Sequence, residues 1–303
     1  MGGRTLAGHG ALMRATVRKT LKIAGWSFGA LFALLGIFVG LLLFPGFLFT
    51  HKLEQGNLVA YSEEDLSGSI EPVLREIDRR LATSEINVPA ITHRIFFGED
   101  AQIFGALQRA RAEIVYRTIG MKPASNYNAS WPPLISHIVT LDLPDVAHDA
   151  LRRPAWPGHF NMTHILTHEV THTLVTEKLG LANVSRLPMW KAEGYPEYVA
   201  MSASRSQAGY SLSASVSRVL AADLAWLRNA QGDFASMRYD CIGRSYLKDE
   251  NDDSWHTCYY LARVLVEYLM DTKGLTFDQL MQPSVKESET LREMLAAYHA
   301  GEL

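Results

Sequence analysis

The chain opens with a long apolar run and then settles into shorter amphipathic patterns. From Ile23 to Thr50 no charged side chain occurs, and Leu, Phe, Ala and Gly dominate. The run is apolar all round, which does not suit a core helix of a small domain. It exceeds the ~20 residues that cross a bilayer. Residues 51–68 are polar and read as a linker. Val73, Leu74, Ile77 and Leu81 then recur at helical spacing, predicting a helix from Ile70 to Leu81. Ile91–Phe97 reads as a strand that Gly98 ends, residues 101–117 as a helix and 126–133 as a turn-rich stretch. His137–Leu143 alternates as a second strand before Pro144. Ile165, Leu166, Val170, Leu174 and Leu179 predict a further helix, with Thr163 or Asn161 to cap it and Gly180 to end it. Beyond residue 200 the pattern is almost wholly helical, near 213–229, 255–273 and 288–299. The fold class expected is α+β and mostly helical, with a small N-terminal sheet.

Charge gives the first run a direction. Arg4, Arg14, Arg18, Lys19 and Lys22 precede it, and the first acidic residue is Glu54. The positive-inside rule then places the N-terminus in the cytoplasm and the bulk of the chain outside it. This predicts a basic cytoplasmic segment (1–22), a signal anchor (23–50), a linker (51–68) and a folded domain (69–303), as a single-pass membrane protein, with that domain periplasmic if bacterial. A cleaved signal peptide is the alternative, but no clear A-x-A site follows Pro45-Gly46. The 303 residues suffice for one large domain or two lobes around a cleft, and a net charge of −3 gives no reason to expect nucleic acid as a partner. Cys241 and Cys258 form no metal motif; outside the cytoplasm they are free to form a disulfide, and two buried thiols are the other reading. Sequons stand at Asn128, Asn161 and Asn183.

The chemistry is concentrated at His168-Glu169-Val170-Thr171-His172. Two histidines four apart share one helix face and can bind one zinc ion, while Glu169 is placed to act as general base without being a ligand. A surface helix with two unrelated histidines would show the same five letters. The stretch Trp190-Lys-Ala-Glu193-Gly194-Tyr-Pro196-Glu197 adds what such a helix would lack. Glu193 can supply a third ligand, and Glu197, one turn on, can accept the free ring N–H of a ligand histidine.

H-E-x-x-H followed by W-x-x-E-G resembles the gluzincin metallopeptidases, and most of all their compact peptidase-MA-like branch. The resemblance implies zinc held by His168, His172 and Glu193, Glu169 as base, and an acidic residue at Glu197 against a ligand histidine. It implies a zincin-like two-lobed domain and a strand beside the active-site helix able to hold an extended substrate, for which residues 137–143 are the candidate. A Tyr facing the metal is also implied; Tyr259 is the first choice and Tyr260 and His256 are alternatives. Pro196 departs from the family pattern and is tolerable if the second helix begins near Glu193. His164 extends the histidine row by a turn, but an open metal site argues against it as a ligand. Trp190 is expected to pack beside the site and Lys191 to be exposed. The activity implied is hydrolysis of peptide or protein substrates by a membrane-anchored zinc metallopeptidase. A non-catalytic membrane-tethered binding protein of the same fold, or a zinc hydrolase of non-peptide amides, would carry the same residues.

Overall fold

In a computed structural model of the chain the described residues are 6–43, 46, 49–62, 65, 67–97, 129–130, 138–141, 162–184, 186–221 and 254–303. They fall into two units, Met1–Leu48 and Phe49–Leu303.

The first unit is one helix, α1 (Leu6–Leu43). Its segment Lys19–Gly40 has a mean hydropathy of 2.0 and is long and apolar enough to cross a membrane. Arg14, Arg18, Lys19 and Lys22 belong to the same helix, so the basic and apolar segments expected as two parts are continuous.

The second unit is mostly helical and begins with a sheet. Strands β1 (His51–Gln55) and β2 (Leu58–Ser62) form an antiparallel hairpin, where the sequence suggested a linker. The two-residue connection Gly56-Asn57 makes this possible, with Gly56 at φ 56°. Its polarity has a physical reason: β1 is an edge strand with exposed residues along it, whereas β2 is nearly all buried. Phe49 packs on Phe96 at 5.3 Å between ring centroids, and Tyr61 stacks on Phe96 at 4.8 Å. Asn57 ties the turn to the next strand, donating from Nδ2 to the Ile91 carbonyl at 3.0 Å and accepting from the His93 N–H at 2.8 Å.

Helix α2 (Ser67–Leu81) crosses from β2 to the parallel strand β3 (His93–Phe97). Leu74, Ile77 and Leu81 are buried, as their spacing predicts, with Ile70 beside them; Val73 is half-buried, and Glu76 pairs with Arg79 and Arg80. Strands β4 (Ala129–Ser130) and β5 (Ile138–Leu141) complete the order β1-β2-β3-β5-β4. Of the predicted 137–143 strand the described residues 138–141 are strand, and they are internal: β3 pairs with them in parallel and β4, inside the stretch expected to be turns, pairs antiparallel on the other side. The readings for Gly98, residues 101–117, Cys241, the Cys258 side chain, Asn128 and Asn161 lie outside the described residues.

The helical part is built on α3 (Met162–Leu179), α5 (Met189–Ala200) and α8 (Ser254–Glu267), with a short α4 (Leu181–Val184) between the first two. Gly180, at φ 76°, ends α3 as expected. Helix α3 is buried on most of its circumference although it is rich in threonine. The hydroxyls of Thr167, Thr171 and Thr176 each donate to the carbonyl four residues back, at 2.7, 2.7 and 2.9 Å, so they enter the core already bonded. Thr173 Oγ1 donates to the Val170 carbonyl and meets buried His93 Nδ1 at 3.0 Å, linking the helix to β3.

Helix α5 packs against both α3 and α8. Its approach to α8 needs Gly194: a Cβ there would stand 2.6 Å from the Ala262 carbonyl oxygen and 2.9 Å from Val266 Cγ2. The helix begins at Met189, one turn earlier than Pro196 was expected to tolerate. Glu193 precedes the proline, so the turn that positions it is intact, and only the bond from residue 196 to the Ala192 carbonyl is forfeited. Short helices α6 (Ser202–Arg205) and α7 (Leu212–Ala221) follow, then α8, a π-helical turn (Tyr268–Thr272), α9 (Phe277–Leu280) and α10 (Glu287–Ala300). Buried Arg263 and Glu267 are ion-paired on α8, and Tyr210 bonds both.

Candidate metal centre

Histidines 164, 168 and 172 form one row along α3, and Glu193 and Glu197 form a second along α5. Each row has a spacing of four residues, one helical turn. The rows face each other in opposite directions, so His164 meets Glu197, His168 meets both carboxylates and His172 meets Glu193.

His168 Nε2, His172 Nε2 and Glu193 Oε2 converge. His168 Nε2 lies 3.0 Å from His172 Nε2 and 3.2 Å from Glu193 Oε2, and the third side of the triangle is 3.4 Å. With bonds of ~2.0–2.1 Å, tetrahedral ligand atoms stand roughly 3.3 Å apart. The three side chains could therefore hold one metal ion with no rearrangement beyond a few tenths of an ångström. His168 is buried and His172 and Glu193 are only partly so.

Glu197 sits behind this triangle. Its Oε1 lies 3.0 Å from His168 Nδ1, within ion-pair distance. Its Oε2 lies 2.9 Å from His164 Nε2. Both oxygens of a buried carboxylate are thus engaged. Burial works against charge on His168, but Glu193 and then Glu197 outweigh it and hold the imidazole pKa well above 6.5. Burial likewise opposes ionisation of Glu193, yet His172 and His168 draw its pKa below 4.5. Glu197 follows the same balance, with His164 the first of its two stabilising partners and His168 the second.

Glu169 is half-buried at the next position on α3 and close enough to raise the His168 pKa. The Tyr259 ring on α8 lies 6.0 Å from the His168 ring, centroid to centroid. Tyr260 instead lies under Arg263, whose guanidinium stands 4.5 Å from its ring. The side chain of His256 lies outside the described residues.

Two sequence readings change. Lys191 is buried, not exposed, and its Nζ donates to the Gln282 carbonyl at 2.8 Å. The aliphatic stem packs while the ammonium finds a main-chain acceptor, which composition alone does not reveal. His164 is no bystander: it is buried against Glu197. The signal for it was the shared four-residue spacing of the two rows. Trp190 is buried in the core. Comparison of the chain with protein-family models, with curated proteins and with solved structures finds no match.

Proposed function

We propose that this chain is a zinc-dependent metallopeptidase of the gluzincin type, tethered to a membrane by α1. The observation that carries the reading is the triangle of His168, His172 and Glu193 atoms, with Glu169 beside it on the H-E-x-x-H helix. Two imidazoles and one carboxylate are the ligand set of a hydrolytic zinc site. Zinc held there supplies the Lewis acidity that lowers the pKa of a water and polarises a substrate carbonyl. Glu169 takes the proton from the attacking water and passes it to the leaving amine nitrogen. Glu197 keeps the proton of His168 on Nδ1 and so turns the Nε2 lone pair toward the centre. Tyr259 is the donor for the negative charge that develops on the carbonyl oxygen.

In this reading the sheet with α2 forms one lobe of a zincin-like domain and the helices from α5 onward form the other, with α3 along the cleft between them. The substrate is a peptide or protein. The basic residues before the apolar segment set the N-terminus on the cytoplasmic side and the catalytic unit on the opposite side. Elemental analysis of the full chain in detergent tests the centre: the expected result is about one zinc per chain, lost in His172→Ala. Digestion of a peptide library tests the activity. A zinc-loaded, folded protein that cleaves no peptide would leave a binding protein and overturn the enzyme reading.

A further inference from the structure

We infer that His164 is a positioning residue of the metal centre: it anchors Glu197, and through Glu197 it fixes the ring and tautomer of His168. The inference rests on the reading that the centre holds zinc. His164 and Glu197 are 2% and 6% exposed, so the carboxylate has little water to bond and depends on protein donors. Its two oxygens reach two histidines one turn apart on α3, His164 Nε2 at 2.9 Å and His168 Nδ1 at 3.0 Å. A carboxylate held at one oxygen alone can turn about its last torsion. One held at both cannot turn without breaking a contact. With Oε2 pinned by His164, Oε1 stays on His168 Nδ1, the proton stays on that nitrogen, and Nε2 keeps its lone pair toward His172 Nε2 and Glu193 Oε2.

His164 is not a fourth ligand in this arrangement. Its Nε2 is committed to Glu197, and the convergent atoms belong to His168, His172 and Glu193. The work it does is transmitted: removing it leaves all three ligands in place and loosens one of them.

Full-length variants test this with zinc and with cobalt(II) as probes. His164→Phe keeps a ring of similar size and has no donor. His164→Asn keeps a donor on a shorter side chain. His164→Gln carries its amide nitrogen near the position of Nε2. Zinc dissociation constants are measured by competition with a chromophoric chelator, the visible absorption of the cobalt form reports ligand geometry, and circular dichroism reports folding. The expected result is zinc binding weakened about 10- to 100-fold in the Phe and Asn variants, with a shifted cobalt spectrum. His164→Gln is expected to return both readouts close to wild type. In a Glu197→Gln background, His164→Phe is expected to add no further loss. A purely structural role would lower the melting temperature and leave zinc affinity and the cobalt spectrum alone. Folded Phe and Asn variants with wild-type affinity and spectrum overturn the inference, as does an equal loss in the Gln variant or a fully additive loss in the Glu197→Gln background. If wild type takes up neither metal, the metal reading itself fails and carries this inference with it.

Discussion

On α3 and α5 each histidine at four-residue spacing meets a carboxylate at four-residue spacing, and the outcome differs residue by residue. Glu169 stands half-buried beside His168 on the same helix. Glu169→Gln is expected to keep zinc and to lower the rate of peptide hydrolysis by orders of magnitude; an unchanged rate in a peptide assay would remove Glu169 from the mechanism. The metal-free cluster has its own pH behaviour. His168 has a folded pKa above 6.5, so its contribution to stability is full below 6.5 and is lost as pH rises through the folded value. Glu193 and Glu197 have folded values below 4.5, so theirs is present above 4.5 and lost as pH falls through the folded values. The metal-free site thus stabilises the fold best between about 4.5 and 6.5. A metal ion at the site would need His168 neutral and would have to displace its proton, so its binding is expected to tighten as pH rises. Thermal melts with and without zinc should show a zinc-induced shift that keeps growing above pH 6.5; a shift that levels off at 6.5 would contradict the raised pKa.

At the scale of elements, the parts legible in the sequence are those whose burial follows a simple period. Helix α2 shows one apolar stripe and was readable to within a few residues. The motif helix α3 was readable from its apolar positions and its terminal glycine. The hairpin β1–β2 was not, because an edge strand such as His51-Lys-Leu-Glu-Gln has few buried positions to reveal it, even though the two-residue Gly56-Asn57 connection suits a tight turn. The start of α5 was open in the sequence, because Pro196 fits a first turn by its lack of an N–H; the helix begins at Met189 and carries the proline inside it, with Glu193 ahead of the lost bond. Gly194 makes the packing of α5 against α8 possible. Gly194→Ala pushes a methyl group into the Ala262 carbonyl, a contact that no side-chain rotation relieves. The expected cost is about 1–3 kcal/mol in urea denaturation, together with weaker zinc binding, because Glu193 is the adjacent residue. An Ala variant with unchanged stability would mean that α8 yields freely.

Across the whole molecule the two units divide between Leu48 and Phe49. A chain beginning at Phe49 retains β1 and the Phe49–Phe96 contact and is expected to be water-soluble and to bind zinc as tightly as the full chain. A chain beginning at Gly56 loses both, and its unfolding free energy should fall by ~3 kcal/mol or more. Equal stability of the two in chemical denaturation would assign β1 to the tether after all. The full chain is expected to sediment with membranes, since the apolar side chains of α1, Trp26 and Phe32 among them, are exposed within their unit.

The clasp around α5 also bears on when the protein becomes able to take up metal during its synthesis. Glu193 lies between two residues held by the last part of the chain: Lys191, whose ammonium is capped by the Gln282 carbonyl, and Gly194, seated on Ala262. When Glu193 has been made, the partners of both neighbours do not yet exist. Roughly 90 residues separate Glu193 from Gln282, on the order of 5–20 s of translation. Throughout that interval the two histidines of the motif are present without a fixed third ligand. The triangle of His168, His172 and Glu193 is therefore expected to close only after residues 262–282 have been made, so any metal held there would be taken up late in folding.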